Sequence, residues 1–347
     1  MHKPINVLSV LIRAEGGGAE ASVRRMLEPL LRVNVNVTRV VCSPPKKAEA
    51  SHELTVLSKG SSQSLFSLLK AAKNLRNSIL ELQPHIVHLH CERPELTYVV
   101  ARLIWPSCKT AVVFTEHTST SYQHQRLAGL VARFFLARWG ATQINCFATS
   151  DSKIKTIFNP ISFDNLDVKM PPSDSLPRLV YIGRLIGLKR VDQIIEAMHE
   201  SQFQGGLLVV GDGPERAALQ NLVETLGVPR VSFAGYQREP WSGIIQSDVF
   251  VSASSREGEP LSVVEAICRR VPMLLSDIPA HNSLAENRAM IFGARGELVK
   301  ALARLEETIE VIRPSQAWAN VIRSAREPAN VALEWRKVYE EVLGDAK

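Results

Sequence analysis

Two glutamates, Glu257 and Glu265, bracket the segment EGEPLSVVE and are the side chains with the clearest potential for chemistry. The apolar residues of LSVVEAICRR recur at helical spacing, which predicts a helix that begins near Leu261 and carries Glu265 in its opening turns. Glu257 then lies just before the helix. A helix start presents unpaired N–H groups and the positive end of the helix dipole, and both favour a phosphate or diphosphate. A surface helix with two solvated carboxylates has the same spacing, so the neighbouring sequence has to decide.

A basic loop lies upstream of the two glutamates. The segment RLVYIGRLIGLKRVDQ predicts a short buried strand over Leu179–Ile182, then a loop with Arg184 and Lys189, then a helix. Two cations on one loop could hold a diphosphate and neutralise the charge that grows on it as a leaving group. The alternative is an exposed loop with solvated charges.

Units of strand, turn and helix recur along the second half of the chain and would position these residues. GGLLVVGDGPERAALQ is one such unit, and the residues 248–252 are predicted to form the strand that delivers Glu257. A tandem of such units is typical of a doubly wound parallel sheet, whose ligands bind at the carboxyl ends of the strands. The glutamates and the basic loop all fall at such ends.

These motifs together resemble a known family. GRLIGLKR, VVGDGPER, VSFAG, DVFVSASSREGEPLSVVEAI and the strand after Pro272 are similar in order and spacing to the glycosyltransferase group 1 family, the retaining family 4 enzymes of GT-B fold. The resemblance is strongest from Leu179 to Ser276. It implies an α/β protein with two Rossmann-like domains whose parallel sheets face a central cleft.

The resemblance also implies a role for each motif residue. Arg184 and Lys189 would hold the donor diphosphate, Glu257 would contact the donor sugar, and Glu265 would contact the nucleotide ribose. The first three are candidates for catalytic roles. The backbone at the helix start would face the diphosphate, through Glu259, Pro260 and Leu261.

The amino-terminal half contributes two further candidates. A glycine loop precedes a predicted helix, and by resemblance Gly17 and Gly18 would lie beneath the sugar and diphosphate of the donor. The pattern is not G-x-G-x-x-G, and a flexible turn is the plain alternative. His117 follows a predicted strand over residues 111–115, where the family often has a histidine that meets the donor sugar or the acceptor. A structural histidine at a strand end is the alternative.

His85, His88 and His90 alternate along a probable strand. Metal binding by these histidines is not favoured, because no second ligand cluster accompanies them. No metal and no cofactor is expected, since the donor substrate is itself the nucleoside diphosphate sugar. The five cysteines are scattered without C-x-x-C spacing, as expected for reduced thiols.

The length of 347 residues fits two domains. We predict an acceptor-side domain over residues 1–162, a nucleotide-sugar-binding domain over residues 163–327, and a terminal helix over residues 328–347 that crosses back to the first domain. A linker is predicted between Asn159 and Pro177, where proline, serine and charge mix without periodicity. The terminal helix carries one apolar stripe, formed by Val331, Trp335, Val338, Tyr339 and Val342.

Charge is unevenly shared between the two halves. Residues 1–165 hold 20 Lys and Arg against 11 Asp and Glu, a net charge of +9, whereas residues 166–347 carry a net charge of −3. The basic half suits an anionic membrane or a phosphate-bearing lipid acceptor, and an ordinary solvated basic face is the alternative. No nucleic-acid partner is expected, because no binding module accompanies the charge. With no long apolar run and no signal peptide at the amino terminus, we expect a cytoplasmic protein with or without peripheral contact at the inner membrane face.

The predicted function is transfer of a hexose or N-acetylhexosamine, with retention, from a nucleoside diphosphate sugar to a glycan or lipid-linked acceptor, in surface polysaccharide or lipopolysaccharide biosynthesis. A catalytically weak or inactive GT-B scaffold is one alternative, and a glycosidase that uses both glutamates is another. The scaffold is suggested by departures from the family pattern. Arg270 and Val271 precede Pro272 where relatives have glycine, residues 279–281 replace a glycine-rich turn and glutamate, and the segment 149–155 is short.

Overall fold

The computed structural model describes residues 3–12, 18–43, 55–57, 64–107, 110–117, 127–146, 154–161, 177–245 and 247–345. The chain forms two compact units. The first contains Met1–Ser162 and Ala325–Lys347, and the second contains Phe163–Ser324. Most of the predicted linker, residues 162–176, and residues 149–153 of the short segment 149–155 lie outside the described residues.

The first unit is built on a parallel sheet of seven strands in the order β3-β2-β1-β4-β5-β6-β7. Its elements in chain order are β1 (Ile5–Leu11), α1 (Gly18–Arg32), β2 (Val35–Val41), β3 (Thr55–Val56), α2 (Leu65–Leu82), β4 (Ile86–His90), α3 (Glu92–Ile104), β5 (Ala111–Glu116), α4 (Leu127–Arg138), β6 (Thr142–Asn145) and β7 (Lys155–Thr156). Because parallel strands are covered on both faces, nearly all of their residues are buried, as in β1 and β4.

The second unit holds a parallel sheet of six strands in the order β10-β9-β8-β11-β12-β13. Its elements are β8 (Leu179–Ile182), α5 (Val191–Glu200), β9 (Leu207–Val210), α6 (Arg216–Leu226), β10 (Val231–Gly235), β11 (Val249–Ser252), α7 (Leu261–Cys268), β12 (Met273–Ser276), α8 (Pro279–Asn282), β13 (Ile291–Phe292), α9 (Arg295–Ala303), α10 (Leu305–Thr308) and α11 (Gln316–Arg326). Short 3₁₀ turns occur at Gly187–Lys189 and Arg288–Met290. The predicted α/β class is confirmed, and the strand predicted over Leu179–Ile182 has the predicted bounds.

The last helix, α12 (Pro328–Asp345), packs in the first unit. Its predicted stripe is confirmed: four of the five residues are buried and the fifth packs beside them, in a core shared with α1, β1 and β4. The opposite face of the same sheet is covered by α2, α3 and α4. Among the described residues, no helix combines the length and hydropathy needed to cross a membrane.

Candidate active site

The loop after β8 carries the predicted basic residues and is held by close backbone packing. The Tyr181 hydroxyl donates a hydrogen bond to the carbonyl oxygen of Arg184 at 3.1 Å. A Cβ at Gly183 would lie 2.7 Å from that hydroxyl oxygen, so a larger residue there would displace the Tyr181 side chain. The loop continues into the 3₁₀ turn that ends at Lys189, while the Arg184 side chain is exposed. Tyr181 therefore shapes the basic loop, a role that its place in an apolar strand did not indicate.

An ion pair joins two of the predicted residues. Lys189 Nζ donates to Glu257 Oε1 at 2.5 Å, with the two side chains 23% and 12% exposed. The loops that carry them are also joined through the backbone, because the Ser255 N–H donates to the Leu188 carbonyl oxygen at 2.8 Å. The carboxyl ends of β8 and β11, neighbours in the sheet, thus bring a cation and a carboxylate together across 68 positions of sequence.

Helix α7 begins at Leu261 after Pro260, as predicted, and its first helical bonds run from the N–H groups of Val263 and Val264 to the Pro260 carbonyl oxygen. The N–H of Leu261 precedes these bonds and belongs to the open start of the helix. Pro260 has no N–H, so donation from the predicted backbone set can come only from Glu259 and Leu261.

Glu265 lies in the second turn of α7 and is buried, 8% exposed. Its Oε2 accepts a hydrogen bond from Trp241 Nε1–H at 2.9 Å. The guanidinium of Arg269 lies over the Trp241 ring, 5.1 Å from its centroid. The position of Glu265 is therefore fixed by an indole that the sequence motifs did not single out.

His281, one of the departures from the family pattern, is fully buried beneath the same strand ends. Its Nδ1 lies 2.9 Å from the Ser276 carbonyl oxygen, and the Ser276 hydroxyl donates to the Ser254 carbonyl oxygen at 2.6 Å. Nε2 has no hydrogen-bond partner among the described residues. Burial lowers the pKa of His281, and the charge of Lys189 acts in the same direction while that of Glu257 opposes it. The imidazole therefore joins the ends of β11 and β12 as a neutral group.

Arg270, a second departure from the family pattern, changes the backbone conformation that its position requires. Arg270 adopts φ 54°, a left-handed conformation in which glycine is favoured. Its guanidinium donates to the Pro314 carbonyl oxygen at 3.2 Å and to the Gln316 side chain at 3.4 Å. These bonds offset the strain that a glycine would avoid.

His117 lies in the first unit, directly after β5, in a cluster of three histidines. His90 Nδ1 lies 3.1 Å from His117 Nε2, so one ring donates and the other accepts. On the neighbouring ring, His88 Nε2 lies 2.6 Å from Thr115 Oγ1 and Nδ1 lies 2.9 Å from the Tyr339 hydroxyl of α12. His88 and His90 are themselves adjacent, with ring centroids 4.0 Å apart.

Burial keeps the histidine cluster neutral. It lowers the pKa of His117 to about 4 and that of His88 to about 3, and it holds the pKa of His90 well below the ordinary value. The cluster borders a cavity of about 30 Å³ in the first unit, room for roughly two water molecules. The prediction that His85 belongs to the same strand was wrong, because His85 is exposed and precedes β4. No metal-binding group of three such side chains occurs within the described part of the chain.

Two buried carboxylates near the end of β5 have a structural role. Glu116, the last residue of β5, and Glu95 of α3 are both buried and share the guanidinium of Arg133 at 3.2 Å and 3.3 Å. Burial raises the pKa of both carboxyl groups and the arginine opposes that rise. Gly18 opens α1, whereas Gly17 lies outside the described residues.

Two units with parallel sheets of these strand orders, both with polar side chains at the carboxyl ends of the strands, define an α/β protein of GT-B fold. The model of glycosyl transferases group 1 matches residues 163–312, and that of glycosyltransferase family 4 matches residues 16–155. The chain belongs to this family of glycosyltransferases.

Several known proteins are similar to the chain. The O-antigen biosynthesis glycosyltransferase WclY of Escherichia coli is 33% identical over 164 residues, which are 46% of each protein. The alpha-monoglucosyldiacylglycerol synthase of Acholeplasma laidlawii is 23% identical over 141 residues, 38% of this chain and 35% of the relative. The matches thus span about a third to a half of the curated relatives. Among solved structures, Anabaena HepE in complex with UDP-glucose aligns with a TM-score of 0.78 at 17% identity, over 97% of this chain and all of that one, which shows a shared fold.

Proposed function

We propose that the chain transfers a hexose or N-acetylhexosamine from a nucleoside diphosphate sugar to a glycan or lipid-linked acceptor, with retention of anomeric configuration. The observation that carries the proposal is the ion pair between Lys189 and Glu257 at the ends of adjacent strands. Glu257 of this pair lies four positions before Leu261, where α7 starts. A diphosphate and a sugar need this combination of cation and carboxylate, since the first is anionic and the second carries hydroxyl donors.

Departure of the diphosphate is the step that the basic loop would assist. Negative charge grows on the diphosphate as the bond to the sugar breaks, so Lys189 and Arg184 accelerate the reaction if they bind it more strongly in the transition state than in the ground state. Glu257 holds the Lys189 ammonium in place before the donor arrives and would orient the sugar through its second oxygen. The Lys189 ammonium then has to reorganise less during the reaction.

The nucleotide would be anchored by Glu265. Its carboxylate, held by the Trp241 N–H at Oε2, would accept hydrogen bonds from the ribose hydroxyls. Burial of the carboxylate strengthens such hydrogen bonds relative to bonds made in water. This arrangement serves binding, and Glu265 does not act as a nucleophile.

His117 of the first unit would meet the donor sugar or the acceptor as a neutral imidazole. Retention is supported by the family to which the chain belongs, and no base is assigned to the acceptor hydroxyl. A glycan or lipid-linked acceptor in surface polysaccharide or lipopolysaccharide assembly is supported by the similarity to WclY and to the Acholeplasma synthase. A cytoplasmic location is supported by the four cysteines within the described residues, all of them free thiols.

The test begins with thermal denaturation of the full chain in the presence of UDP, GDP or ADP. A ligand at 100 times its Kd should stabilise the protein by about 2.7 kcal/mol. The matching nucleotide sugars are then incubated with a lipid extract and with glycans, and the anomeric configuration of the product is read by NMR. Glu265→Gln should weaken nucleotide binding, and the exposed α6 variant Glu224→Gln should behave as the parent.

The outcomes separate the alternatives. A protein that is stabilised by no nucleotide is a scaffold of the same fold, and one that instead hydrolyses simple glycosides is a glycosidase. An inverted product would refute retention while leaving the donor site intact.

A further inference from the structure

Three helices form one layer on the first unit. The inward residues of α2, α3 and α4 pack against β1, β4 and β5, with α3 in contact with both neighbours. Two polar contacts also join the three helices. Arg93 of α3 donates to Ser67 of α2 at 3.3 Å, and Arg133 of α4 pairs with Glu95 of α3 at 3.3 Å. Their outward sides therefore belong to one continuous surface, with α3 in the middle.

Large apolar side chains concentrate on the outward sides of the two flanking helices. Phe66 is 78% exposed and Phe134 is 67% exposed. Together they leave roughly 300 Å² of aromatic surface in water, on two helices that are separated by α3. We call the whole set the apolar helical face, formed by Leu65, Phe66, Leu69, Leu130, Val131 and Phe134. Between its two parts, α3 carries the partly exposed Val100 and the exposed Leu103.

The charge on the two flanking helices of the apolar helical face is mostly basic, and Glu92 and Glu95 lie in the first turn of α3 between them. Lys70 and Lys73 follow Leu69 on the outward side of α2, and Arg138 ends the outward side of α4. Helix α4 has no acidic residue, and the only one in α2 is Glu81 in its last turn. Aromatic and aliphatic residues flanked by cations are the composition that binds the headgroup region of an anionic bilayer. A second copy of the chain, docked by two-fold symmetry, would bring these cations toward one another instead.

The orientation of α2 and α4 shows which edge of the sheet the apolar helical face lies near. Only three residues separate α2 from β4 and α4 from β6, so both helices end at the amino edge of the sheet. Their beginnings, with Phe66 and Leu130, therefore lie at the carboxyl edge, which also carries His117.

We infer that the apolar helical face docks the chain onto an anionic phospholipid bilayer, with Phe66 and Phe134 among the acyl chains and Lys70, Lys73 and Arg138 against the headgroups. Docking would hold the carboxyl edge of the first unit at the membrane plane. This inference adds to the proposed function. It rests on that function only for the purpose of docking, which is access to a lipid-linked acceptor. Binding to lipid requires no turnover and is measured separately.

The test is co-sedimentation of the full chain with vesicles of phosphatidylcholine, with or without phosphatidylglycerol, in the absence of any sugar nucleotide. The double variant Phe66→Ser and Phe134→Ser removes apolar surface without touching the core. The control, Leu31→Ser and Leu333→Ser, removes exposed leucines of α1 and α12 on the opposite face of the same sheet (60% and 49% exposed). Circular dichroism checks that both variants are folded.

The parent and the control should sediment with the anionic vesicles, and the phenylalanine variant should bind roughly tenfold or more weakly. Raised salt and the variant Lys70→Ser with Lys73→Ser should both weaken binding as well. Failure of the parent to sediment, or equal losses in control and test variants, would overturn the inference. A dimer that the phenylalanine variant dissociates, without vesicle binding, would assign the face to a second copy. Vesicle binding that persists in a protein stabilised by no nucleotide would refute the proposed function and leave the lipid surface standing.

Discussion

Acid destabilisation through His88 is a prediction that the structure allows to be worked out in numbers. His88 is 3% exposed, bonded to Thr115 and Tyr339, and its pKa is lowered by burial to about 3. In the unfolded chain the same imidazole has its ordinary value of 6.5. Between these values the unfolded state binds a proton that the folded state does not, so stability falls as pH falls. The contribution of His88 is present above pH 6.5 and is lost progressively below it.

The expected size follows from this linkage. Going from about pH 7.5 to about pH 5.5, the unfolded imidazole gains a proton while the folded one stays neutral, which costs about 1.4 kcal/mol of unfolding free energy. The variant His88→Gln has no titrating group at this position. The loss of stability over the same pH range should therefore be about 1.4 kcal/mol smaller in the variant than in the parent. Glu95, Glu116 and His90 titrate in both proteins, so the comparison largely cancels their contributions.

Urea denaturation at three pH values in this range measures the difference. Tyr339→Phe is the matched control, because it removes the hydroxyl that bonds His88 but keeps the imidazole. It should lower stability at every pH and leave the pH dependence like that of the parent. Parallel pH profiles for the parent and His88→Gln would show that the folded protein protonates His88 near pH 5.5, and the argument from burial would then be refuted.

Three further predictions concern the second unit. Lys189→Ala should lower kcat/KM for the nucleotide sugar about 10²- to 10³-fold, because the leaving diphosphate loses a cation, whereas the exposed Lys300→Ala should leave steady-state rates unchanged. Trp241→Phe should weaken UDP or GDP binding roughly tenfold in calorimetry, since the buried carboxylate of Glu265 loses its indole donor; an unchanged Kd would contradict the proposed anchor. Arg270→Gly should be about 1 kcal/mol more stable to urea than Arg270→Ala, because both lose the same side-chain bonds and only glycine relieves the left-handed backbone; equal stabilities would argue against strain at φ 54°.

Local pattern was enough to predict most of the fold. The strand at Leu179–Ile182 and the stripe of α12 were predictable because a buried parallel strand is a short apolar run and a docked helix repeats its apolar residues at helical spacing. The two-residue strands β3, β7 and β13 could not be predicted in this way. They exist only because a neighbouring strand supplies hydrogen-bond partners, and two residues carry no period of their own.

The residues of the candidate site could be predicted from the sequence, but the contacts between them could not. Glu257 and Lys189 were identified from motifs on separate loops, but their pairing depends on β8 and β11 being neighbours in the sheet. The bond from Tyr339 to His88 spans 251 positions and requires α12 to fold onto the first unit. His85 was grouped with the other histidines because the strand start was placed too early, an error that alternation alone cannot detect. Trp241 has no motif, and only the buried carboxylate beside it reveals its role.

The two faces of the first sheet show why the apolar helical face is more than incomplete burial. On the α1 and α12 side, exposed Leu31 and Leu333 lie on helices that carry mixed-sign ion pairs, including Arg32 with Glu28 at 2.5 Å and Lys155 with Glu341 at 3.1 Å. Such a surface favours water, since both helices present charges of both signs. The other side has two exposed phenylalanines with cations, and its carboxylates are Glu81 in the last turn of α2 and Glu92 and the buried Glu95 at the start of α3. If poor packing alone were responsible, the two sides would have similar charge; the basic bias at the apolar residues instead matches an anionic, apolar surface as the partner.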